Sequence, residues 1–489
     1  MGNESDFSRW RGLFWPIYRS ELPKFLPLLS IFFLITFIYN ILRSYKDTLV
    51  ITQAPCGAEV LAFIKIWAVL PAAILMTYLF ARLSHVFSKE KVFYIMISFF
   101  IGFFLLFAIV LYPAREYLHP HGFADMLQTF LPKGCAGLIA LLRNWTFTLF
   151  YVMSELWSSM IFSVLFWSFA NEVTSVKEAK RFYGLLITGG NIAGIFAGEA
   201  AFAFSQKNIY LSWLPIGQSA WDQSIFLLTL AIFFSGLLII FLFRLLTTHV
   251  NYTSPRIPCE EKTLKLTFQQ QIATIFRSRY LLCIALIVLG YNIAINLVEI
   301  VWKHQINLAF PDPNDYNAYM GKVMIAMGVI ATITGLFATN SLIRRSSWTL
   351  CALIPTVIVG VTGAIFFSYL LYNHGNASLP LMLAVTLGSF QNCLSRASKY
   401  TFFDATKEIA FIPLDTQAKL NGKAAIDGVG SRLGKSGGSI IHQSLLIFFS
   451  SIGATTPYIA MIFIAIVACW GFAVVALGKQ FEKQQRALN

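Results

Sequence analysis

The feature that most constrains this chain is a series of apolar stretches that recurs along its whole length. About 20 apolar residues in a helix span the ~30 Å hydrocarbon core of a bilayer, so each stretch is a candidate membrane helix. The stretches are continuously apolar and do not alternate, which favours helices over a barrel. We predict twelve spans, at residues 23–49, 59–83, 91–113, 145–172, 182–204, 223–247, 280–305, 316–340, 347–372, 378–403, 428–451 and 455–479.

Composition supports an integral, all-α membrane protein and excludes an ordinary soluble domain. Apolar residues make up 57% of the 489 residues and charged residues only 12%, far from the usage of soluble domains. The 7 cysteines have neither CxxC nor metal-type spacing. We therefore predict no disulfide framework, no metal site and no cofactor.

The distribution of Lys and Arg predicts the orientation. With an even number of spans both termini share a side, and that side collects most of the cations, which predicts that it is cytoplasmic. The N-terminus (1–22), the central linker (248–279) and the tail (481–489) all fall there. The net charge of +14 follows mainly from this asymmetry. A nucleic-acid-binding surface would instead need cations clustered with aromatic residues.

The chain divides near its middle, at the polar run "THVNYTSPRIPCEEKTLKLTFQQQ". This places six spans in an N-terminal half (23–247) and six in a C-terminal half (280–480). Two short echoes relate the halves: "YNI" begins at Tyr39 and again at Tyr291, and "VTSVKEA" is echoed by "DATKEIA". Together they favour a major-facilitator-like transporter, whose halves rock about a site near the bilayer midplane.

The segment "GVGSRLGKSGG" nearly spells a nucleotide-binding P-loop. A P-loop needs Gly, four residues and then Gly-Lys-Ser, so that successive N–H groups wrap the phosphates. Here Val429 stands where the first Gly should be. We interpret the segment as the entry to the eleventh span, with Arg432 and Lys435 three apart on one helix face and Lys423 on the cytoplasmic approach.

Charged residues inside predicted spans are informative because each costs ~2.5–3.5 kcal/mol at a helix centre on insertion scales. Glu155 lies in the middle of the fourth span with no cation within one turn along its own helix. It is either a carboxylate satisfied by another helix or a substrate, proton or gating group. Lys65 and Glu199 lie nearer span ends and are expected at the membrane interface.

The first and seventh spans each carry a charged cluster. Lys46 follows Arg43 on nearly the same helix face, and Asp47 could neutralise Lys46 locally. Glu299 and Lys303 are spaced i,i+4, which permits a local ion pair, although Lys303 could also snorkel beyond the hydrocarbon.

Four cations, Arg43, Lys46, Arg432 and Lys435, could converge on an anion. Phosphate suits such a cluster, because several charge-assisted contacts would offset the lost hydration of a nucleotide.

Four motifs make the chain resemble a known family from about residue 25 to 480. They are "RSYKDTLV", "MSELWSSMIFSVLFWSFANEVTSVKEAKRFYG", "YNIAINLVEIVWK" and "GKAAIDGVGSRLGKSGG". The family is that of the nucleotide transporters, or ATP/ADP translocases, of plastids and of obligate intracellular bacteria such as chlamydiae and rickettsiae. The resemblance implies nucleotide exchange without hydrolysis.

The resemblance also implies which charges act. The family's functionally sensitive charges fall on Lys46, Glu155, Glu299 and Lys435, with Lys423 in "NGKAAID" as the competing match for the last. The full set of candidate substrate-binding or transport residues is Lys46, Glu155, Glu299, Lys435, Arg43, Arg432, Lys423 and Asn171. Glu172 in "FANEVTS" stands where relatives carry Gln, which leaves the coupling mode open.

These observations predict a transporter, not an enzyme, that exchanges host ATP for bacterial ADP by alternating access. The N-terminal segment lacks the features of a transit peptide, so the chain resembles a bacterial member of the family. We expect it to be a monomer in the inner membrane. Its partners would be ATP, ADP and the lipid bilayer, with no nucleic acid. The alternative is a proton-coupled symporter for nucleotides or another organic phosphate. An ATP-hydrolysing pump would need Walker A and Walker B elements, which the sequence lacks.

Overall fold

The structure is a computed structural model of the chain. It describes residues 15–53, 57–207, 217, 219–249, 278–345, 347–373, 380–414, 422, 426 and 431–488. Within these ranges the description covers the backbone alone at 176, 177, 180, 249, 336–345, 373, 431–433, 435 and 484–488. Most of the predicted linker, 250–277, lies outside the described residues, so the division into domains at 248–279 stays a prediction.

The described residues form long helices joined by short segments. We number the membrane-length helices α1 Leu22–Gln53, α2 Gly57–Val86, α3 Lys89–Leu111, α4 Trp145–Val173, α5 Val176–Phe204, α6 Ala220–His249, α7 Arg279–Ala309, α8 Pro313–Arg345, α9 Trp348–Asn373, α10 381–410, α11 Ser431–Phe449 and α12 Ile452–Leu488. Short helices at Arg115–Leu118, His121–Phe130 and Ala136–Arg143 connect α3 to α4.

Among the described residues, ten helices are long and apolar enough to cross a membrane. The other two, α10 and α11, occupy the places of the tenth and eleventh predicted spans but are more polar. Gln391, Asn392 and Arg396 lower the mean hydropathy of α10, and Lys435 and His442 lower that of α11. The all-α membrane fold is confirmed, with ten spans meeting the length and hydropathy criteria against twelve predicted.

Local sequence explains where several helices begin. The hydroxyl of Ser88 accepts from the backbone N–H of Lys91 and caps α3. Ser175 and Glu178 form a capping box at the start of α5, which satisfies two backbone donors that the first helical turn leaves without partners.

Two central helices organise the packing. In the first six helices α1 packs against α4, α5 and α6, and in the last six α7 packs against α10, α11 and α12. The two halves meet where α5 packs along α8 and where α2 packs against α11. Gly198 and Gly321 bring α5 and α8 together so closely that a Cβ on either would lie 2.7 Å from the other's carbonyl oxygen. Small residues at such a contact let two backbones approach.

The ends of the helices define two sides of the molecule. The termini side is the side on which α1 begins and α12 ends, and the far side is the side on which α1 ends at Gln53. On the far side the halves are joined by hydrogen bonds from Ser44 to Asn317 (2.5 Å) and from Asn317 to Ser205 (2.8 Å).

Candidate functional site

A cavity of about 320 Å³ lies between the two halves. Helices α1, α2, α4, α7, α10 and α11 all contribute to its wall. Its described charged side chains are Arg43, Lys46, Asp47, Lys65, Glu155, Glu299, Lys303, Arg396 and Lys399. These six cations and three carboxylates give the described part of the wall an excess of three positive charges. A cavity of this kind suits a polyanion.

In the N-terminal half an ion-pair network begins at Glu155 on α4. Its Oε1 lies 2.5 Å from Nζ of Lys46 on α1, and Nζ of Lys46 also lies 3.5 Å from Oδ1 of Asp47. The same ammonium sits 3.8 Å from the ring centroid of Tyr151, a cation–π contact. The ammonium of Lys46 is thus enclosed by two carboxylates and an aromatic ring.

The network continues into the C-terminal half through Lys303 on α7. Its Nζ lies 2.8 Å from Oδ2 of Asp47 and 2.9 Å from Oε1 of Glu299. Glu299 also pairs with Arg396 on α10 at 3.4 Å. Asp47 and Lys303 are only 1% and 2% exposed. A buried chain of alternating charges therefore crosses from one half to the other, and the contact between Asp47 and Lys303 joins the halves.

The two carboxylates that hold Lys303 occupy equivalent places in the two halves. Asp47 follows Tyr39 on α1 as Glu299 follows Tyr291 on α7, at the same spacing along the chain, and both tyrosines line the cavity. The asparagines next to these tyrosines repeat one local hydrogen bond. Asn40 donates to the Thr36 carbonyl at 2.9 Å, and Asn292 donates to the Val288 carbonyl at 2.8 Å. The "YNI" echo therefore marks structurally equivalent turns.

The cavity's other cations differ in their pairing. Lys399 lies 3.6 Å from Asp404. Arg43 and Lys65 have no carboxylate within ion-pair distance in the described part of the chain. Arg43 is buried, and among the described residues its guanidinium donates a weak hydrogen bond, 3.7 Å to the Met327 sulfur on α8.

Three widened helical turns border the cavity. Segments of π-helix occur at Lys65–Val69 in α2, Trp157–Phe166 in α4 and Lys399–Phe403 in α10, and each contributes residues to the wall. Such turns are rare and are found frequently at functional sites.

The structure brings four of the predicted site residues, Arg43, Lys46, Glu155 and Glu299, to this one cavity. Asn171 lies away from its wall, exposed near the termini-side end of α4, where it accepts a hydrogen bond of 2.5 Å from the Tyr183 hydroxyl.

The three remaining predicted residues belong to α11 and its approach. Arg432 and Lys435 belong to α11, and the structure describes their backbone but not their side chains. Their neighbour Ser436 lines the cavity. Lys423 lies outside the described residues. The roles of all three stay predictions.

Sequence reasoning missed several cavity residues. Lys65 was expected at the membrane interface, whereas it lines the cavity. Arg396 and Lys399 lie in the predicted span 378–403, so the cost of a charge in the membrane could have identified them. Asp47 was considered only as a local partner of Lys46, whereas its closer partner is Lys303 of the other half.

The described ranges contain no group of three or more His, Cys, Asp or Glu side chains that could hold a metal ion.

Comparison with known proteins adds three findings. Residues 2–481 match the family described as TLC ATP/ADP transporter. The chain is 43% identical to ADP,ATP carrier protein 1 of Chlamydia trachomatis serovar D, over 98% of this chain and 92% of that protein. It is 40% identical to the chloroplastic ADP,ATP carrier protein 1 of Arabidopsis thaliana, over 95% of this chain and 74% of that one.

Among solved structures, the chain resembles a bacterial homologue of the iron transporter ferroportin in an inward-facing state. The TM-score is 0.55 at 15% sequence identity, over 94% of this chain and 100% of the other. At this identity the likeness shows the fold, which is major-facilitator-like.

Proposed function

Because this chain belongs to the TLC ATP/ADP transporter family, we propose that it exchanges ATP for ADP across a membrane by alternating access, without hydrolysis. The observation that carries this proposal is the cavity between the halves, whose described side chains include six cations and three carboxylates. ATP and ADP are polyanions, and an excess of buried positive charge offsets the hydration that their phosphates lose on entry.

The cavity also offers surfaces for the nucleoside. Tyr39, Tyr151, Tyr291 and Tyr400 contribute to the wall, together with Asn292. Aromatic rings can stack on a purine and an amide can bond its edge, so these side chains are suited to hold the base while the cations hold the phosphates.

The alternating step would involve the charge network. The Asp47–Lys303 pair joins the halves at 2.8 Å, so the far side cannot open while this contact holds. A phosphate group arriving beside Lys46 or Lys303 competes with Asp47 for their ammonium groups. Binding of substrate would thereby weaken the contact between the halves, which couples occupancy to reorientation.

Exchange also requires that the empty carrier rarely reorients. In the empty cavity the excess cations would be brought together without an anion, and this repulsion supplies a barrier. Swapping ATP⁴⁻ inward for ADP³⁻ outward against an inside-negative potential is opposed by ~2.3 kcal/mol per 100 mV. A ~50-fold higher ATP/ADP ratio outside would offset that, at ~1.4 kcal/mol per decade.

We further propose a monomer in a bacterial inner membrane, taking up host ATP, with both termini in the cytoplasm. The excess of Lys and Arg on the termini side supports this orientation. On that assignment, the hydrogen bonds and ion pairs that join the halves lie toward the outer face.

The test is uptake of labelled ATP into proteoliposomes that contain the purified protein and are preloaded with ADP, with buffer alone, or with other nucleotides. We expect internal ADP to accelerate uptake strongly and an uncoupler to leave that acceleration in place. Uptake into empty vesicles that depends on a proton gradient would instead indicate symport and contradict the proposal. Release of phosphate from ATP by the purified protein would contradict it as well.

A further inference from the structure

The six cations that the structure describes in the cavity wall fall into two groups. Lys46, Lys303, Arg396 and Lys399 each have a carboxylate within 4.0 Å, namely Glu155, Asp47, Glu299 or Asp404. Arg43 and Lys65 have none among the described residues. Each cation of the first group therefore has a direct ion-pair partner in the protein, whereas the second group offers its positive charge to the cavity without a direct partner among the described side chains.

A cation in a low-dielectric site without a counter-charge is unfavourable. Arg43 is buried on α1, and among the described residues the hydrogen bond of its guanidinium goes to the Met327 sulfur at 3.7 Å. Burying this charge becomes favourable only when an anion joins it. The planar guanidinium donates two parallel hydrogen bonds, which suits a phosphate group.

Lys65 completes the second group from a different helix. It follows the fully buried run Val60–Ile64 and begins the π-helical turn Lys65–Val69 of α2. Its ammonium is within electrostatic range of Lys46, Glu155, Glu299 and Lys303, yet it forms an ion pair with none of them. Lys65 is therefore held beside the network without being part of it.

Resting on the proposed function, we propose that Arg43 and Lys65 bind the phosphates of the nucleotide and that Lys65 sets the preference for the triphosphate over the diphosphate. Lys46 belongs instead to the charge network of the N-terminal half, because Glu155, Asp47 and Tyr151 already surround its ammonium. The charge of the bound species decides how much Lys65 contributes, since a cation stabilises ATP⁴⁻ more than ADP³⁻ and both more than AMP.

The experiment is calorimetric binding of ATP, ADP and AMP to the purified full-length protein and to Lys65→Gln. We expect the variant to bind ATP at least ~10-fold more weakly, ADP several-fold more weakly and AMP within ~2-fold of the parent, each decade being ~1.4 kcal/mol. Lys65→Arg keeps the charge and should recover most of the ATP affinity. Lys322→Gln is the matched control, because Lys322 is a span lysine against the Phe202 ring and outside the cavity wall.

The outcomes separate this inference from the proposed function. A parent protein that binds neither ATP nor ADP would overturn both. A parent that binds both, with a Lys65→Gln variant whose ATP affinity and ATP/ADP ratio are unchanged, would overturn only the role of Lys65. Equal losses for ATP, ADP and AMP would also overturn it, since they would indicate a general disturbance of the cavity. If Lys65→Gln does not fold, Lys65→Met, uncharged and similar in length, takes its place in the same titrations.

Discussion

The far side and the termini side of the molecule differ in what their polar contacts join. On the far side several contacts cross between the halves: Asp47 pairs with Lys303, and Asn317 bonds both Ser44 and Ser205. On the termini side, ion pairs among the described residues lie within one half, as Lys24 with Glu178 and Arg181 with Glu21. A transporter whose halves are joined by such contacts on the far side, and whose described ion pairs on the termini side stay within one half, is arranged to open on the termini side.

The glycines of the α5–α8 contact show the same difference. Toward the far side, Gly198 and Gly321 leave no space for a Cβ. Toward the termini side, a Cβ on Gly184 of α5 would meet no described atom within 4 Å. The two helices are therefore in close contact at one end and separated at the other, which is how two rigid halves tilt about a shared interface.

The largest effect is expected from Lys303→Ala, which breaks the ion pair between Asp47 and Lys303 that joins the halves; we call this pair the lock. The change leaves Asp47 and Glu299 without their shared cation, and removing one partner of a buried pair costs about 3–5 kcal/mol. We expect a large drop in the thermal stability of the purified protein and a loss of ATP/ADP exchange in proteoliposomes of more than ~100-fold.

The matched control is Lys207→Ala. Lys207 also joins the halves on the far side, through Asp315 at 2.8 Å, but its side chain is 50% exposed. An exposed pair contributes little, so exchange should stay within ~2-fold of the parent. If Lys303→Ala and Lys207→Ala reduced exchange equally, the buried Asp47–Lys303 pair would not be the contact that controls opening of the far side.

A smaller effect is expected from Gly198→Ala, which tests the α5–α8 contact. The added methyl group would meet the Gly321 carbonyl, and forcing the helices apart should cost about 1–3 kcal/mol. Gly184→Ala has open space and should be neutral or slightly stabilising, because Ala favours a helix over Gly. Thermal unfolding of the two variants measures the contrast, and a Gly184→Ala variant as unstable as Gly198→Ala would contradict the asymmetry between the sides.

The cavity carboxylates Glu155 and Glu299 test the region between the far side and the termini side. We expect Glu299→Gln and Glu155→Gln to leave ATP binding within several-fold while slowing exchange by ~10-fold or more. Glu299 should be the more sensitive, since it holds both Lys303 and Arg396, whereas Glu155 is 34% exposed. Binding titrations and exchange rates at several pH values test this. A Glu155→Gln variant with full exchange and an unchanged pH profile would make Glu155 a structural carboxylate only.

The smallest effect is expected on the termini side, from Arg181→Gln. Arg181 bonds both carboxylate oxygens of Glu21, at 2.9 and 2.5 Å, within the N-terminal half. Its loss should cost about 1 kcal/mol or less of stability and leave exchange nearly unchanged. A loss of exchange comparable to that of Lys303→Ala would show that this pair, too, controls reorientation.

The positions of the helices could be predicted because their signals are local. The predicted spans 145–172 and 182–204 differ by only a few residues from α4 and from the apolar part of α5. Helices also lie at the tenth and eleventh predicted spans, but α10 and α11 fall short of the hydropathy expected of a span, because helices that line a polar cavity carry polar residues. Glu155 and Glu299 could also be identified from the sequence, because a charged side chain inside a span has a high free-energy cost and is kept where it has a partner or a function.

The identities of the partners could not be predicted. Nothing in the sequence around Glu155 indicated that its partner would be Lys46. Lys65 was predicted to be interfacial because its position along the span does not show which way its side chain faces. The echo of Tyr39 and Tyr291 was visible, yet the sharing of Lys303 by Asp47 and Glu299 was not.

The sequence by itself determined a membrane protein with helices in known places, a polar interruption near its middle and charges inside the spans. Hydrophobic length, helix period and charge cost act within one segment, so each can be evaluated without the rest of the chain. Only the tertiary structure decided that Asp47 would meet Lys303, and that Arg43 and Lys65 would be left without carboxylates in the described part of the chain. An ion pair depends on the distance between two side chains, and for helices far apart in sequence the packing of the whole bundle sets that distance.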